Sequence, residues 1–408
     1  MKAVAVIPAR YGSTRLPGKP LLDICGKPLI QRVWDVVARV HGLDEIIVAT
    51  DDERIAKVVQ EFGGSAMMTS PDCQSGSDRV REVAQTVDAD VYVNVQGDEP
   101  LLEPSAIEKL LKVFAYDSSV QVATLCSPIS REEAQSPNQV KVVCDHAGNA
   151  LYFSRARLPF VREANERADY LGHVGIYAYR REALCSFTSL PVSSLEQAEK
   201  LEQLRFLQAG IPIRVIEVPK MGVGVDTQKD LERVRTVVRE KRKAEALERL
   251  KHVKLVVTDV DGVLTDGGLY YGADGECLKR FNARDGLGVR LLQKAGIQVA
   301  VLSGRDCPAL RKRIVDLRIT EAVLGKLDKR SALAGIMDRC SVTSDEVVFI
   351  GDDVSDMEVF GMCGVSVTVR DAPEYVKTSA DIVLTSKGGN GAFREIVEKM
   401  KIVLANDR

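Results

Sequence analysis

Along the first half of the chain, short apolar runs alternate with segments whose apolar positions recur every three or four residues. Ala3–Ile7 is the first such run. Pro28–Val40 follows with apolar residues at Leu29, Val33, Val37 and Val40, close to the helical repeat. Glu45–Thr50 is a second run and ends in Asp51 and Asp52; Glu53–Phe62 reads as a helix stopped by Gly63 and Gly64. Val91–Val95 gives another strand, and Pro104–Phe114 a helix after its loop. Lys254–Val260, Val299–Leu302 and Val347–Ile350 start the same rhythm again in the second half. Alternation of this kind predicts an α/β chain built from two doubly wound, mostly parallel sheets. Ligands of such sheets bind beyond the carboxyl ends of the strands, so the loops there carry the functional reading.

Val234–Val253 separates the halves. It is rich in Arg, Lys, Glu and Ala, which favours a helix. The expected organisation is a first domain over 1–240, a linker helix over 241–252 and a second domain over 253–408. Arg239, Lys241, Arg242 and Lys243 form a basic run, but Glu residues interleave with it and aromatics do not. That is a solvated helix face rather than a nucleic-acid surface.

Length agrees with the division: 408 residues exceed one ordinary core. Hydrophobic content of 45% and charged content of 28% fit a globular protein. A formal net charge of −2 points to no nucleic-acid or membrane partner. No stretch has the apolar length of a membrane helix, and the N-terminus enters a strand directly, so a cytoplasmic location is expected. Nine Cys without a C-x-x-C spacing read as reduced thiols, and four His argue against His-rich metal chemistry.

The loop after the first strand, Ile7 to Leu21, holds two Gly, three Pro and the cations Arg10, Arg15 and Lys19. Gly brings backbone N–H groups close to an anion, and the cations add charge there, which predicts a polyphosphate cradle. It is not a Walker A loop. Asp72–Arg79 offers small donors before a helix, equally consistent with a turn and an N-cap. Asn94–Pro100 ends a core strand on a carboxylate pair, Asp98 and Glu99, and Met221–Thr227 adds Asp226. Two separated Asp residues near a polyphosphate suit Mg²⁺-assisted attack on a nucleotide α-phosphate. Tyr152–Pro159 carries Arg155 and Arg157, and His173 and Tyr177 alternate onto one strand face. Ser194–Leu207 reads as one helix bearing Glu196, Glu199, Glu202 and Gln203. These groups fit a carboxylate-binding pocket or ordinary packing equally well.

Over 1–240 the stretches IPARYGSTRLPGKPL, HGLDEIIVATDD, QSGSDR, YVNVQGDEP, ALYFSRARLP, HVGIYAYR, LEQLR and GVGVDT resemble the 3-deoxy-manno-octulosonate (KDO) cytidylyltransferases. The resemblance implies CMP transfer from CTP to KDO with release of pyrophosphate. It implies that Ala9, Arg10, Arg15, Lys19, Gln74, Ser75, Gly76 and Gln96 bind the nucleotide, with Lys19 also catalytic. Asp98 and Asp226 would hold Mg²⁺, and Arg157, His173, Tyr177, Glu202 and Gln203 would face the sugar acid.

In the second half, Asp259 and Asp261 close the first strand pattern. Like charges one residue apart crowd each other, and a cation with a phosphate resolves the cost. On an extended segment both carboxylates share one face, one as nucleophile and one as general acid/base. Ser303 and Arg305, Lys326 and Lys329, and Asp352 with Asp353 and Asp356 stand near three further strand ends. DVDGVLTDG, RFNARDGLGV, LSGR, GKLDK, IGDDVSDMEVF, DAPEYV and GGNGAFRE resemble the haloacid dehalogenase-like phosphatases, in their KDO-8-phosphate phosphatase branch. That implies a capless fold, Asp259 as the phosphorylated residue, Asp261 as acid/base, and Ser303 and Lys329 on the phosphate. Asp259, Asp261 through its carbonyl, and Asp352 would bind Mg²⁺. Leu324 stands where the branch often has Gln. Arg284, Arg305 and the GGNGAFRE tail are implied near the substrate, with a neighbour's hairpin and tail covering the site in a tetramer and the first domain dimerising.

Together the resemblances imply a bifunctional enzyme of lipopolysaccharide synthesis that acts on KDO 8-phosphate, KDO and CTP. Two alternatives stand beside it. One is a CMP-sialic acid synthetase with an appended phosphatase-like oligomerisation domain. The other is a purely structural second half.

Overall fold

A computed structural model describes residues 1–12, 15–73, 75–163, 168–273 and 275–406, and divides the chain into two compact units, Met1–Arg235 and Thr236–Arg408. The first unit holds β1 (Ala3–Ala9), β2 (Glu45–Thr50), β3 (Ser65–Met68), β4 (Val91–Asn94), β5 (Val122–Ile129), β6 (Lys141–Cys144), β7 (Ala150–Ser154), β8 (Tyr170–Arg180) and β9 (Ile213–Glu217). They order as β3-β2-β1-β4-β8-β5-β9, with β6 and β7 joined at β8. β1 runs parallel to both β2 and β4, whereas β8 runs antiparallel between β4 and β5. β1 is buried along almost its whole length, which fits its unbroken apolar run and its central place. Its carboxyl end delivers Ala9 and Arg10 to the rim, beside the loop that follows β4.

The region read as one helix over Ser194–Leu207 is two short helices, Ser194–Glu199 and Leu204–Gln208. Lys200 adopts a left-handed conformation at φ 55° and ends the first. The composition gave no warning, since Lys is a good helix former. The break has a structural use: Glu196 stays behind as a bidentate partner of Arg205, at 2.6 and 2.7 Å, while Glu202 and Gln203 are carried by the turn instead of a solvated face.

The second unit repeats the architecture without the antiparallel strand. β10 (Leu255–Thr258), β13 (Gln298–Ser303), β14 (Glu321–Leu324), β15 (Val347–Gly351), β16 (Val365–Thr368) and β17 (Ile382–Val383) pair in parallel as β14-β13-β10-β15-β16-β17. Between β10 and β13 stand a hairpin, β11 (Tyr270–Gly272) with β12 (Gly275–Leu278), and the helix Ala283–Lys294; among the described residues no cap domain is inserted there. The helix Gln228–Arg249 spans the boundary between the units. Its Ala246, with Leu250 and Val253 beyond it, enters the core of the second. The basic run is engaged there rather than solvated throughout: Arg242 donates to Asp381 at 2.7 Å and to the Thr378 carbonyl at 3.1 Å. Among the described residues no helix is long and apolar enough to cross a membrane. All nine Cys are free thiols.

Candidate active sites

A cavity of about 620 Å³ opens beyond the carboxyl ends of β1 and β4. It gathers Ala9, Arg10, Arg15, Lys19, Ser75, Gly76, Gln96, Asp98, Glu202 and Asp226, residues drawn from separate loops. Gln74 lies outside the described residues. Arg10 and Arg15 are exposed, and neither has an ion pair among the described residues. Lys19 begins a short 3-10 turn, Lys19–Leu21. Its ammonium donates to Asp98 Oδ2 at 2.6 Å and to Asp226 Oδ1 at 3.0 Å. A backbone bond from Val225 to the Asp98 carbonyl, 2.8 Å, holds the two acidic loops together.

Ser75 is tied to the fold as well as to the cavity. It is the N-cap of the helix Gly76–Thr86, in a reciprocal box with Asp78. Arg79, almost fully buried, donates to Asp51 and Thr69, each at 2.6 Å, and fixes the same loop. Glu99, the other half of the carboxylate pair that follows β4, was expected to hold neither ion nor substrate. Burial, and then the charges of Asp98 and Asp226, push its carboxyl up to about 7. Asp98 and Asp226, which share the Lys19 ammonium, are oxygen donors of the kind a hard divalent cation takes.

A second cavity of about 470 Å³ shares Gly76, Gln96 and Glu202 with the first. Tyr177, Gln203, Asn94, Arg155 and Lys200 also line it. Gln203 Nε2, Asn94 Oδ1 and the Tyr177 hydroxyl are buried without a hydrogen-bond partner, so three residues of the cavity lining carry polar atoms unused by the fold. Glu202 is raised above the usual carboxylate range, chiefly by burial. Two expected residues fall elsewhere. Arg157 lines neither cavity, and its guanidinium stands 5.7 Å from the Phe160 ring. His173 also lines neither: its ring packs on Phe153 and Tyr177, and Nε2 lies 3.1 Å from Thr124 Oγ1. Burial pushes His173 down to about 3, which favours the neutral ring. Arg155, two residues before Arg157, lines the second cavity. Its Nε donates to the Glu199 carbonyl at 2.8 Å, and the Glu199 carboxylate in turn accepts from the Arg155 N–H and the Ser154 hydroxyl.

In the second unit the acids stand beyond the strand ends, as expected, but not on an extended segment. β10 stops at Thr258, and Asp259 and Asp261 lie on the loop after it. The two carboxylates therefore have different company. Asp259 is buried, accepts from Lys329 Nζ at 2.8 Å and takes the Val260 N–H at 2.6 Å. Asp261 pairs with Lys279, whose side chain is fully buried, and Arg305 Nε stands 3.9 Å from its other oxygen.

Lys329 also donates to Asp356 Oδ1 at 2.6 Å, and Asp356 Oδ2 accepts the N–H groups of Asp352 and Asp353. Asp356 had no expected role, although it lies in the same acidic stretch. Asp259, Asp352 and Asp356 each bring one oxygen within 4.8 Å of the others. Burial, then the Asp259 and Asp356 charges, push Asp352 up to about 8, and its Oδ1 has no partner. Burial and the Asp356 charge raise Asp259 to about 6 against the pull of Lys329. A cluster short of positive charge, with an orphaned carboxylate oxygen, fits a divalent cation.

Ser303 ends β13, buried, and its hydroxyl accepts the Arg305 N–H at 3.2 Å. Arg284 is exposed on the first turn of the helix Ala283–Lys294 and reaches no member of the cluster. The GGNG tail, expected over a neighbour's site, packs on its own chain: the Gly389 N–H donates to the Val263 carbonyl at 2.9 Å. Close approach explains its glycines, since a Cβ at Gly388 would stand 1.8 Å from the Gly262 carbonyl oxygen. Gly262 itself has φ +86°, and a Cβ there would stand 1.8 Å from Asp352 Oδ2. Gly262→Ala is therefore expected to displace Asp352 and lower phosphate release by about 10²-fold. Nucleotide transfer by the same variant should be unchanged, and assaying both activities on one preparation checks this.

Comparison with known proteins gives separate matches for the two halves of the chain. The cytidylyltransferase family profile matches residues 4–216, and that of the haloacid dehalogenase-like hydrolases matches 318–396. The 3-deoxy-manno-octulosonate cytidylyltransferase of Escherichia coli is 55% identical over 237 residues, covering 58% of this chain and 96% of the relative. A solved structure of CMP:2-keto-3-deoxy-manno-octonic acid synthetase complexed with CTP is 54% identical, with TM-score 0.58, and covers 59% of this chain and all of that one (100%). The cobalt-bound deoxy-D-mannose-octulosonate 8-phosphate phosphatase of Haemophilus influenzae is 51% identical over 38% of this chain and 92% of that one, with TM-score 0.38. The chain belongs to the cytidylyltransferase family and carries in its second unit a haloacid dehalogenase-like hydrolase segment.

Proposed function

We propose that the chain is a bifunctional enzyme that releases KDO from KDO 8-phosphate and transfers CMP from CTP to KDO. The observation that carries the transferase reading is the pair of cavities sharing Gly76, Gln96 and Glu202. One is lined by phosphate-matching cations and cation-matching acids, the other by polar groups suited to a sugar acid. A relative 55% identical and named for KDO favours this sugar over a sialic acid.

In the transfer, the anomeric hydroxyl of KDO gives up its proton to water as its oxygen attacks the α-phosphorus, the bond from that phosphorus to the β-phosphate oxygen breaks, and pyrophosphate leaves. Arg10, Arg15 and Lys19 neutralise the triphosphate, which lets a second anion approach and stabilises the leaving group. Ala9, Ser75, Gly76 and Gln96 border the nucleotide. Tyr177, Glu202 and Gln203 orient the sugar, and Arg155 faces its carboxylate.

Asp98 and Asp226 would hold one Mg²⁺, and Asp259, the Asp261 carbonyl and Asp352 another; each ion supplies Lewis-acid charge neutralisation when bound. In the hydrolysis, Asp259 attacks the phosphorus of KDO 8-phosphate, and the departing sugar oxygen takes a proton from Asp261. Asp261 then takes a proton from water as the water attacks the aspartyl phosphate, releasing phosphate and restoring Asp259. Lys329 holds Asp259 in line and, with Ser303, meets the phosphate oxygens. Lys279 and Arg305 bracket the acid/base.

We assign the first unit, Met1–Arg235, to the transferase and the second, Thr236–Arg408, to the phosphatase; the stretch 241–252 expected as a linker helix contributes Ala246 and Leu250 to the second core. CTP consumption sets the work in the cytoplasm. The exposed Leu269, Tyr270, Tyr271 and Leu278 of the hairpin suit burial in a tetramer of the second unit. The test supplies CTP, Mg²⁺ and either KDO 8-phosphate, KDO or N-acetylneuraminate as the sugar. CMP-KDO should form from the first two, with free phosphate from the first alone. CMP-N-acetylneuraminate as the faster product, or no phosphate from KDO 8-phosphate, overturns the reading.

A further inference from the structure

Lys19 stands where a cation belongs. Its side chain is 14% exposed, and its ammonium is 2.6 Å from Asp98 and 3.0 Å from Asp226. Arg10 and Arg15 line the same cavity without an ion pair among the described residues. Of the three loop cations, the one on the flexible four-carbon stem is thus spent on the acids, and the two guanidinium groups face the cavity.

We propose that Lys19 is an internal counter-cation, which a divalent ion must displace from Asp98 and Asp226 and which the triphosphate receives once displaced. The proposal rests on the reading that these two aspartates hold the cation. The physical argument is competition for the same oxygens. An ammonium seated on both carboxylates and a dication on the same pair would repel each other at contact distance. Lys is a compact charge on a flexible stem, so leaving requires only rotamer changes.

The triphosphate offers the freed ammonium oxygens of the same kind. Ion and nucleotide then bind with positive coupling, and by linkage each strengthens the other. Without nucleotide, Lys19 holds the acidic pair closed to the ion. A purely structural ion pair predicts the opposite: removing Lys19 would loosen the two acidic loops and weaken ion binding.

The experiment uses the full chain carrying Asp352→Asn, which takes one of the three carboxylates from the acidic cluster of the second unit. Mn²⁺ is the probe, and free ion is read by electron paramagnetic resonance with no nucleotide present. Adding Lys19→Met should tighten Mn²⁺ binding by about tenfold. Unchanged or weaker binding overturns the proposal. Adding Asp98→Asn to either protein should weaken Mn²⁺ binding. If Asp98→Asn has no effect, the assignment of the ion to these carboxylates is itself wrong and the inference falls with it. If Asp98→Asn weakens binding but Lys19→Met fails to tighten it, only the inference falls. Lys19→Gln provides the same measurement should the Met variant melt early.

Discussion

Asp259→Asn is expected to reduce phosphate release from KDO 8-phosphate by at least about 10⁴-fold, the scale seen when a covalent nucleophile is removed. That corresponds to about 5.5 kcal/mol of lost transition-state stabilisation. The fold should survive. Lys329 Nζ and the Val260 N–H now reach separate oxygens of Asp259, at 2.8 and 2.6 Å, so the amide oxygen keeps one of these two bonds. One negative charge also leaves a cluster in which burial and Asp356 already push the Asp259 carboxyl up to about 6. CMP-KDO formation from KDO and CTP should stay within about twofold, because Asp259 belongs to the second unit and the nucleotide cavity is lined wholly by the first. Phosphate and pyrophosphate assays on one preparation give both values. Loss of both activities in a normally melting variant would sink the two-site assignment.

A second large effect should appear in stability. Freed of metal by a chelator, the second unit should become less stable as pH rises from about 5 to about 9. Asp259 lies near 6 and Asp352 near 8, both above the unfolded value of 3.8. A carboxyl raised in the fold favours the protonated state. Its contribution is full below the unfolded value and is lost as pH rises through the folded one. Each unit of displacement is worth about 1.4 kcal/mol, so two such groups make a loss of several kcal/mol.

Bound Mg²⁺ reverses the sign, since the ion stabilises the ionised forms. Saturation at 100 times Kd adds about 2.7 kcal/mol, and the gain should grow with pH as the competing protons leave. Calorimetry across this range, with and without Mg²⁺, gives the result. Trp34 is the only tryptophan and lies in the first unit, so its fluorescence identifies the other transition by its silence. A Mg²⁺ gain that stays flat from pH 5 to 9 would remove the acidic cluster from the account.

The strands were legible because each central one is an unbroken apolar run, and the loops after them because their cations and acids have no packing purpose. β1 and the gathering of Arg10, Arg15, Lys19, Asp98 and Asp226 at one cavity were readable on those grounds alone. What escaped depends on geometry that composition does not carry. Lys200 in a left-handed turn contradicts its own propensity and decides that Glu202 and Gln203 face a cavity. Arg155 and Arg157 are chemically equal in sequence, and only the course of the chain after β7 separates the one that lines the cavity from the one beside Phe160. His173 does pack against Tyr177, but it also packs on Phe153 and does not line the cavity that Tyr177 lines. Asp356 looked like one more acid in a loop. Its partner Lys329 is distant in sequence, so the ion pair exists only in three dimensions.

The contact between Gly388 and Gly262 reaches beyond mechanics. Neither position can gain a Cβ without moving the other's backbone or Asp352. For inherited change the two behave as a single locus. A mutation in the tail is filtered by the demands of the nucleophile loop, and a mutation in the loop by the fit of the tail. Across descendants the tail should drift as slowly as the catalytic acids, although it takes no part in bond making.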